Sequence, residues 1–273
     1  IKKIASALTL CGALVAAPAS AVPILSDLVF VVDESGSMGN VQRNLRNNIG
    51  LFASTLTGTG QVDARYGLVG YGDRSVVPRQ VTDLTDATSF ASAAQGLRTN
   101  GATEPGYTAT AFALNALDGQ SDRFSYRPNA IKNVIILTDE PSNGDSTFSG
   151  SISGSAVSET VLDGVLTDNS ALYNGVLSGF GTIPSYEDLI TDHGGSVFVL
   201  NLFASSDQTV VNNFVTDFAD AKLQETLDFC DINPTDPACN PVTPVPEPGS
   251  MALFGLGLTG LVAIRRRKLA QAA

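Results

Sequence analysis

Three short segments of the sequence carry oxygen-bearing side chains in an arrangement that suits a metal ion. The segments are, in chain order, Asp33-Glu34-Ser35-Gly36-Ser37, then Gly101-Ala102-Thr103-Glu104-Pro105, then Thr138-Asp139. None of the segments offers the nitrogen or sulfur ligands that are typical of zinc and copper sites, whereas carboxylate and hydroxyl oxygens suit hard cations. The pattern therefore predicts a site for one Mg²⁺, Mn²⁺ or Ca²⁺ ion.

Two of these segments directly follow continuous apolar runs. The run Leu28–Val32 ends just before Asp33, and the run Val134–Leu137 ends just before Thr138 and Asp139. Continuous apolar runs of this length are typical of strands that are buried on both faces of a sheet. Because ligands of open α/β sheets bind beyond the carboxyl ends of the strands, we expect the oxygen donors to meet at one edge of a sheet.

The rest of the body alternates strand patterns with amphipathic helix patterns. Asn40 is expected to cap the first helix, because apolar residues follow it at helical spacing. The other predicted strands are Tyr66–Tyr71, Gln80–Leu84, Leu172–Leu177 and Val197–Phe203. The other predicted helices are Thr88–Leu97, Tyr107–Leu117, Ala156–Leu166, Ser185–Asp192 and Gln208–Leu227. This alternation predicts a layered α/β fold with a mostly parallel sheet.

The combination of segments resembles the von Willebrand factor A family with its metal-ion-dependent adhesion site. That family has D-x-S-x-S after the first strand, a Thr in a Gly-rich loop and an Asp that closes the fourth strand. The resemblance implies that the metal ligands here are Asp33, Ser35, Ser37, Thr103 and Asp139. The resemblance covers residues 27–228 and implies a Rossmann-like, three-layer fold whose central, mostly parallel sheet is flanked by helices. The alternative is that Asp33 and Ser35 cap a turn and Asp139 caps a helix.

Two residues depart from the family pattern. Glu140 replaces the common Gly after the last Asp, and Glu104 adds a carboxylate beside Thr103. Either residue changes the charge of the site, so the pattern does not choose among the three cations. Both are also candidates for a general base, together with Glu34, but the sequence has no G-x-S-x-G motif and its single histidine, His193, is expected at a helix end. We therefore expect a binding protein and not an enzyme.

The amino end of the sequence predicts export. Lys2 and Lys3 precede the apolar run 4–17 and the small residues Ala19-Ser20-Ala21. A charged region, a short apolar region and an A-x-A site are typical of a secretory signal peptide, here residues 1–21, which signal peptidase would remove. An amino-terminal membrane helix is the alternative, but it would need about 20 apolar residues.

The carboxyl end predicts a sorting signal. Pro246-Glu247-Pro248 precedes the apolar run Met251–Ile264 and the basic cluster 265–268. As a helix the run would reach about 21 Å, against roughly 30 Å of hydrocarbon, and the basic cluster should stay in the cytoplasm. Residues 245–268 resemble the PEP-CTERM sorting signal of Gram-negative bacteria. The resemblance implies that the tail is a transient membrane anchor, which an exosortase-type protease processes. The protein would then reach the cell surface or the medium. A permanent tail anchor is the alternative.

The segment between body and tail, residues 229–248, is rich in proline and is expected to be an extended, semi-rigid linker. Cys230 and Cys239 are the two cysteines that remain after loss of the signal peptide. Two cysteines nine positions apart in an exported chain predict a local disulfide, with free thiols or an incomplete metal site as alternatives.

The charge of the body constrains its partners. Without residues 1–21 and 249–273 the chain keeps ten basic and all 27 acidic residues, a formal net charge of −17, which excludes nucleic acid. The family resemblance implies a cation that binds an acidic group on a surface protein or an exopolysaccharide, as in adhesion or matrix association. A structural matrix role, in which the ion only stabilises the fold, and a metal-dependent hydrolase are the alternatives. The Ser/Gly-rich stretch Ser142–Ser155 is either a recognition loop or a flexible insertion.

Overall fold

The computed structural model describes residues 22–239. The predicted signal peptide, linker residues 240–248, the sorting signal 245–268 and its apolar segment 251–264 lie outside the described residues. Within the described part, no helix is long and apolar enough to cross a membrane.

The described chain alternates strands with helices, as the sequence predicts. The strands are β1 (Ile24–Asp33), β2 (Val62–Tyr71), β3 (Arg79–Thr85), β4 (Ile131–Thr138), β5 (Ser151–Ile152), β6 (Ser155–Ala156), β7 (Leu172–Leu177) and β8 (Val197–Val199). The helices are α1 (Gly39–Thr57), α2 (Ala87–Ala93), α3 (Gly106–Ala113), α4 (Glu159–Asp168), α5 (Gly179–Thr182), α6 (Glu187–Asp192), α7 (Leu200–Phe203) and α8 (Gln208–Ile232).

Six of the strands form one sheet in the order β3-β2-β1-β4-β7-β8. All neighbours in it are parallel except β3, an edge strand that pairs antiparallel with β2. From β1 the chain proceeds to β2 and β3 on one side of the sheet and then returns to β4 on the other side. The carboxyl ends of β1 and β4 therefore form a topological switch point, where open α/β sheets bind ligands.

Helices cover both faces of the sheet, which confirms the predicted three-layer fold. Leu28, Phe30 and Val32 of β1 pack in one core with α1, α2, α7 and α8. Val29 and Val31 point to the opposite core, which contains α3, α4 and α6. Both faces of β1 are thus buried, and this explains why its sequence is a continuous apolar run.

Several predicted boundaries are wrong for local reasons. Asn40 does not cap α1: a 3-10 turn over Gly36–Met38 leads directly into the helix, which places Asn40 in its first turn. Helix α3 ends at Ala113 and does not reach Leu117, because Asn115 adopts a left-handed φ of 60°.

The elements of the carboxyl-terminal half differ from prediction in a similar way. The predicted strand Val197–Phe203 is a strand only to Val199 and then becomes α7, since a short apolar run fits either structure. Helix α4 begins after Ser158, whose hydroxyl accepts a hydrogen bond from a main-chain N–H, because residues 155–156 belong to β6. Helix α8 continues to Ile232, into the segment predicted as linker.

The Ser/Gly-rich stretch Ser142–Ser155 is fastened to the domain at both ends and is not a loose insertion. In the first turn of α3, two main-chain N–H groups donate to Ser142 Oγ at 3.0 Å and to Asp145 Oδ1 at 2.8 Å. At the other end, Asp118 accepts main-chain N–H groups of the β5–β6 turn at 3.0 and 2.8 Å. Since α3 has no capping side chain of its own, the stretch supplies the cap.

Cys230 and Cys239 form a disulfide with a Cα–Cα distance of 5.1 Å, which lies in the usual range. It joins the last turns of α8 to the beginning of the Pro-rich linker. Ala238, next to this disulfide, packs on Ile131 and Leu172, the first residues of β4 and β7. The chain therefore leaves the domain at the amino-terminal edge of the sheet.

A buried ion pair fastens the amino-terminal half of β1. Asp27 is fully buried, and its two carboxylate oxygens accept hydrogen bonds from Arg127 Nε at 2.8 Å and from the Arg127 main-chain N–H at 2.7 Å. Burial raises the pKa of Asp27 above its ordinary value, although Arg127 acts in the opposite direction. The same guanidinium also contacts Asp63, which is half exposed, at 3.0 Å.

We predict that Asp27→Ala costs about 2–3 kcal/mol of unfolding free energy, because it removes the fully buried carboxylate that accepts the Nε and main-chain N–H of Arg127 and leaves the guanidinium with only the half-exposed Asp63 as its charge partner. Asp63→Ala is the matched control: it removes the exposed carboxylate from the same guanidinium and should cost less than about 1 kcal/mol. Urea denaturation of both variants measures the difference. Equal losses would show that Asp27 is no more than a surface partner of Arg127.

Candidate metal site

Asp33 is the centre of the predicted site and is fully buried at the end of β1. Its Oδ1 accepts the main-chain N–H of Ser35 at 2.6 Å, and its Oδ2 accepts the hydroxyl of Thr138 at 2.9 Å. Burial raises the pKa of Asp33 to about 7, and the nearby charge of Glu104 adds to the rise. An adjacent cation would favour the ionised carboxylate and so offset this desolvation.

The two serines of the predicted site converge as their spacing suggests. The 3-10 turn Gly36–Met38 brings Ser35 Oγ to 3.1 Å from Ser37 Oγ. Ser35 is buried, whereas Ser37 is exposed. The turn therefore presents two neutral oxygen donors that run from the buried carboxylate of Asp33 towards solvent.

The segment that contains Thr103 lies directly against this turn. Gly101 forms an isolated parallel bridge with Ser35. A Cβ atom on Gly101 would lie 1.5 Å from the carbonyl oxygen of Gly72, so only glycine allows the Thr103 segment to lie this close to the residue that follows β2. The bridge places Thr103, which is half buried, two residues beyond the contact with the serine turn.

Asp139 follows the last residue of β4 and contains the most informative atom of the site. Its Oδ1 is buried and has no hydrogen-bond partner among the described residues. Its main-chain oxygen accepts the hydroxyls of Ser178 at 3.0 Å and Thr182 at 2.8 Å, which fixes the residue between β4 and α5. A buried, unpartnered carboxylate oxygen is costly, and a bound cation would compensate for it. The residues present therefore fit a hard cation.

The additional acidic residues differ in their surroundings. Glu104 is buried, and its carboxylate accepts the side-chain amide of Asn143 at 2.9 Å. Burial raises the pKa of Glu104, and the charges of Glu140 and Asp139 raise it further. Glu140 is exposed. Between residues 22 and 239, no three His, Cys, Asp or Glu side chains gather as a metal cluster, so hydroxyl groups would have to complete any coordination shell.

Glu34 faces away from the other oxygen donors, although it is next to Asp33 in sequence. Its buried carboxylate accepts hydrogen bonds from the Arg79 guanidinium and from the main-chain N–H of Arg98, the latter at 2.7 Å. Glu34 thus stabilises the segments that flank the site and does not belong to its donor set.

Sequence reasoning missed two residues that support the site. Thr138 donates to Asp33, and Asn143 holds both the main chain and the side chain of Glu104. The position of Thr138 at a strand end was visible in the sequence, whereas no local pattern singled out Asn143.

Comparison with known families decides what kind of domain this is. Residues 27–161 match the family model for the von Willebrand factor type A domain, and residues 244–268 match the PEP-CTERM protein-sorting motif. The chain contains a von Willebrand factor type A domain. All five predicted cation ligands fall inside the matched region, and domains of this family bind a divalent cation at a metal-ion-dependent adhesion site (MIDAS).

Solved structures of one other protein are also similar to this chain. They are structures of proximal thread matrix protein 1 (PTMP1) from the mussel byssus, one of them with a zinc-occupied MIDAS motif. Identities are 16%, 16% and 14%, with TM-scores of 0.47, 0.48 and 0.46. The matches cover 71–73% of this chain and 47% of PTMP1, so the chain spans about half the length of that protein. A comparison with curated proteins gave no match.

We predict that Asp139→Ala removes binding of Mg²⁺ but leaves stability in EDTA unchanged or slightly higher, because the variant loses a buried, unpartnered oxygen. Mg²⁺ should raise the melting temperature of the wild-type protein and not that of the variant. Calorimetric titration and thermal melts measure both effects. Asp163→Ala, which removes a half-exposed carboxylate far along the chain, is the control. A variant that binds Mg²⁺ as tightly as the wild type would contradict the assignment of Asp139.

Proposed function

We propose that the von Willebrand factor type A domain binds a partner at the cell surface or in the extracellular matrix through a divalent cation. The observation that carries the proposal is the buried and unpartnered Oδ1 of Asp139, one residue beyond the Thr138 hydroxyl that contacts Asp33. Two carboxylates at adjacent strand ends, with one oxygen lacking any partner in the described structure, are best explained by a cation between them.

The donor set supports a cation that keeps affinity for a further ligand. Asp33 and Asp139 would provide negative charge, and Ser35, Ser37 and Thr103 would provide neutral hydroxyl oxygens. When bound, the cation supplies a local positive charge and an open coordination position for an acidic group. Such a charge overcomes the repulsion that a body of net charge −17 exerts on an acidic partner.

Mg²⁺ is the ion that this donor set favours, with Mn²⁺ and Ca²⁺ as alternatives. Mg²⁺ is usually held by one or two carboxylates, with water or other oxygen ligands completing an octahedron. Ca²⁺ takes six to eight oxygen ligands, often with more carboxylates. Recruitment of Glu104 would require it to exchange its hydrogen bond with Asn143 for the cation.

The surroundings of the acidic residues support binding more than catalysis. The Glu34 carboxylate accepts hydrogen bonds from the Arg79 side chain and the Arg98 main chain, and the Glu104 carboxylate accepts one from Asn143. Neither carboxylate is therefore free to act as a general base. His193 Nε2 forms a hydrogen bond with Asp163 Oδ1 at 3.0 Å. Its main-chain oxygen contacts the N–H of Tyr173 at the beginning of β7, at the edge of the sheet opposite Asp33.

The two ends of the chain complete the proposal. The PEP-CTERM motif supports processing by an exosortase-type membrane protease after export, with signal peptidase removing residues 1–21. The disulfide between Cys230 and Cys239 is compatible with an oxidising compartment. Because the chain leaves the domain at the amino-terminal edge of the sheet, a membrane anchor would hold the metal-bearing edge away from the membrane.

We predict that Thr103→Ala weakens Mg²⁺-dependent attachment of the protein to extracellular matrix of the source cell by about tenfold or more, because it removes one charge-assisted contact. Thr103→Ser keeps the hydroxyl and should retain most of the attachment. A pull-down from matrix with and without EDTA measures both variants. If the protein still attaches in EDTA and only its melting temperature falls, the ion stabilises the fold and does not mediate attachment, which would contradict the proposal.

For the tail, we predict that mature surface or released protein has lost the residues after Pro246-Glu247-Pro248. Intact-mass analysis of protein from cells and from medium measures this directly. Glu247→Gln serves as the test variant and should accumulate in the unprocessed form if the motif directs cleavage. Surface protein that retains Arg265–Lys268 would instead support a permanent anchor.

A further inference from the structure

A lysine, a glutamate and an asparagine meet inside the domain, at a place that takes no part in the predicted cation site. Lys222 of α8 and Asn174 of β7 are both fully buried. The Lys222 Nζ atom contacts Asn174 Oδ1 and lies 2.8 and 2.7 Å from the two carboxylate oxygens of Glu225. The amine of a helix is therefore held against the side-chain amide of a strand, with a carboxylate beside the amine.

The orientation of the Asn174 amide is fixed by its neighbours. Its Oδ1 accepts the main-chain N–H of Ser196 at 2.8 Å in addition to Lys222, and its Nδ2 donates to Asn133 Oδ1 at 3.0 Å. Only the oxygen of an amide can meet two donors, so the carbonyl group faces the lysine. Hydrogen bonds to this oxygen would stabilise the negative charge that develops on it when an amine attacks the carbonyl carbon.

Apolar surroundings weaken the preference of Lys222 for its charged form. Its Nζ atom lies 4.9 Å from the centroid of the Phe198 ring and 5.2 Å from that of Phe218. Burial lowers the pKa of Lys222 to about 8, although the charge of Glu225 acts in the opposite direction. A neutral amine is therefore accessible at neutral pH, and a neutral amine is the nucleophilic form.

We propose that Lys222 and Asn174 join in an intramolecular isopeptide bond, and that Glu225 carries the protons of the reaction. Glu225 takes a proton from the lysine ammonium, and the neutral amine attacks the side-chain carbonyl carbon of Asn174. Glu225 then protonates Nδ2, the Cγ–Nδ2 bond breaks and ammonia leaves, while the attacking nitrogen gives up its second proton. The products are one amide and one ammonium ion, so the step needs no oxidant, reductant or further reactant.

The fold supplies both the proximity and a way out for the ammonia. Fixing an amine against a carbonyl group in a packed interior replaces a slow encounter by a step within one molecule. Glu225 is 12% exposed and borders a cleft that His193 and Asp228 also line. The ammonia can therefore leave past Glu225, while Lys222 and Asn174 stay enclosed.

The bond would fasten the last helix to the interior of the sheet. Helix α8 continues into the Pro-rich linker, so a force on a tethered protein would enter the domain through this helix. The disulfide between Cys230 and Cys239 joins α8 to the linker and does not join it to a strand. A covalent link between α8 and β7 would hold the helix in place under such a force, whether or not the domain binds a cation.

The chain contains a second lysine–asparagine contact that serves as an internal control. Lys132 Nζ donates to Asn169 Oδ1 at 2.6 Å and lies near the Tyr126 ring. Both Lys132 and Asn169 are partly exposed, so water stabilises the ammonium form there. Contact alone should not suffice for the reaction, and we expect no bond at this pair.

The test is mass spectrometry of the full chain after export from cells and reduction of the disulfide, followed by tryptic mapping. The wild-type protein should be lighter than its sequence requires by one ammonia. Trypsin should cleave after Lys132 but not after Lys222, whose peptide should be joined to the peptide that contains Asn174. Glu225→Gln keeps hydrogen-bonding capacity but carries no proton, so it should retain the ammonia and give separate peptides. Asp228→Asn, one turn further along α8, should form the bond as the wild type does.

The mass separates this reaction from a purely structural ion pair, because loss of an ion pair lowers the melting temperature but does not change how much ammonia the protein retains. Wild-type protein of full mass, with free cleavage after Lys222, would overturn the inference. It also fails if the ammonia loss maps to another pair of residues. A bond that forms in Glu225→Gln as it does in the wild type would overturn the role given to Glu225.

Discussion

The register between β1 and β4 is the constraint on which the site depends. Val32 pairs with Leu137, so both strands end at the same level and bring Asp33 beside Thr138 and Asp139. Because both faces of these strands are covered by helices, the carboxylate of Asp33 is fully removed from water. The sheet therefore places the fully buried carboxylate of Asp33 at the same level as the strand end that leads to Asp139, whose Oδ1 is buried and unpartnered within the described residues, and a bound cation would offset the cost of both.

The acidic residues around the site are of two kinds: those paired with arginines, which stabilise the fold, and those available to bind a cation. After β1 the 3-10 turn brings Ser35 and Ser37 together on the side of Asp33, whereas Glu34 pairs with Arg79. Asp73, on the adjacent segment, pairs with Arg98. Arginines thus compensate the acidic residues that stabilise the flanking segments, whereas Asp139 has no such partner in the described chain.

The sequence was most informative where burial and chemistry follow from local pattern. The apolar runs of β1 and β4 are buried on both faces, so strand, sheet position and the carboxylates that follow them were all predictable. Predictions failed where distant contacts decide the structure. Helix α3 is capped by Ser142 and Asp145 from a stretch that reads as a loose loop. Asn143 holds Glu104 although 39 positions separate them in sequence, and the apolar run 197–203 is a strand only where Val197–Val199 pair with β7.

The most direct test of the central claim is anomalous diffraction from crystals of the protein grown or soaked in Mn²⁺. The account predicts one strong anomalous peak at the carboxyl ends of β1 and β4, within direct or water-mediated coordination distance of Asp33, Ser35, Ser37, Thr103 and Asp139. A peak of comparable strength located elsewhere, with none at this edge, would contradict the assignment of the site and the function built on it.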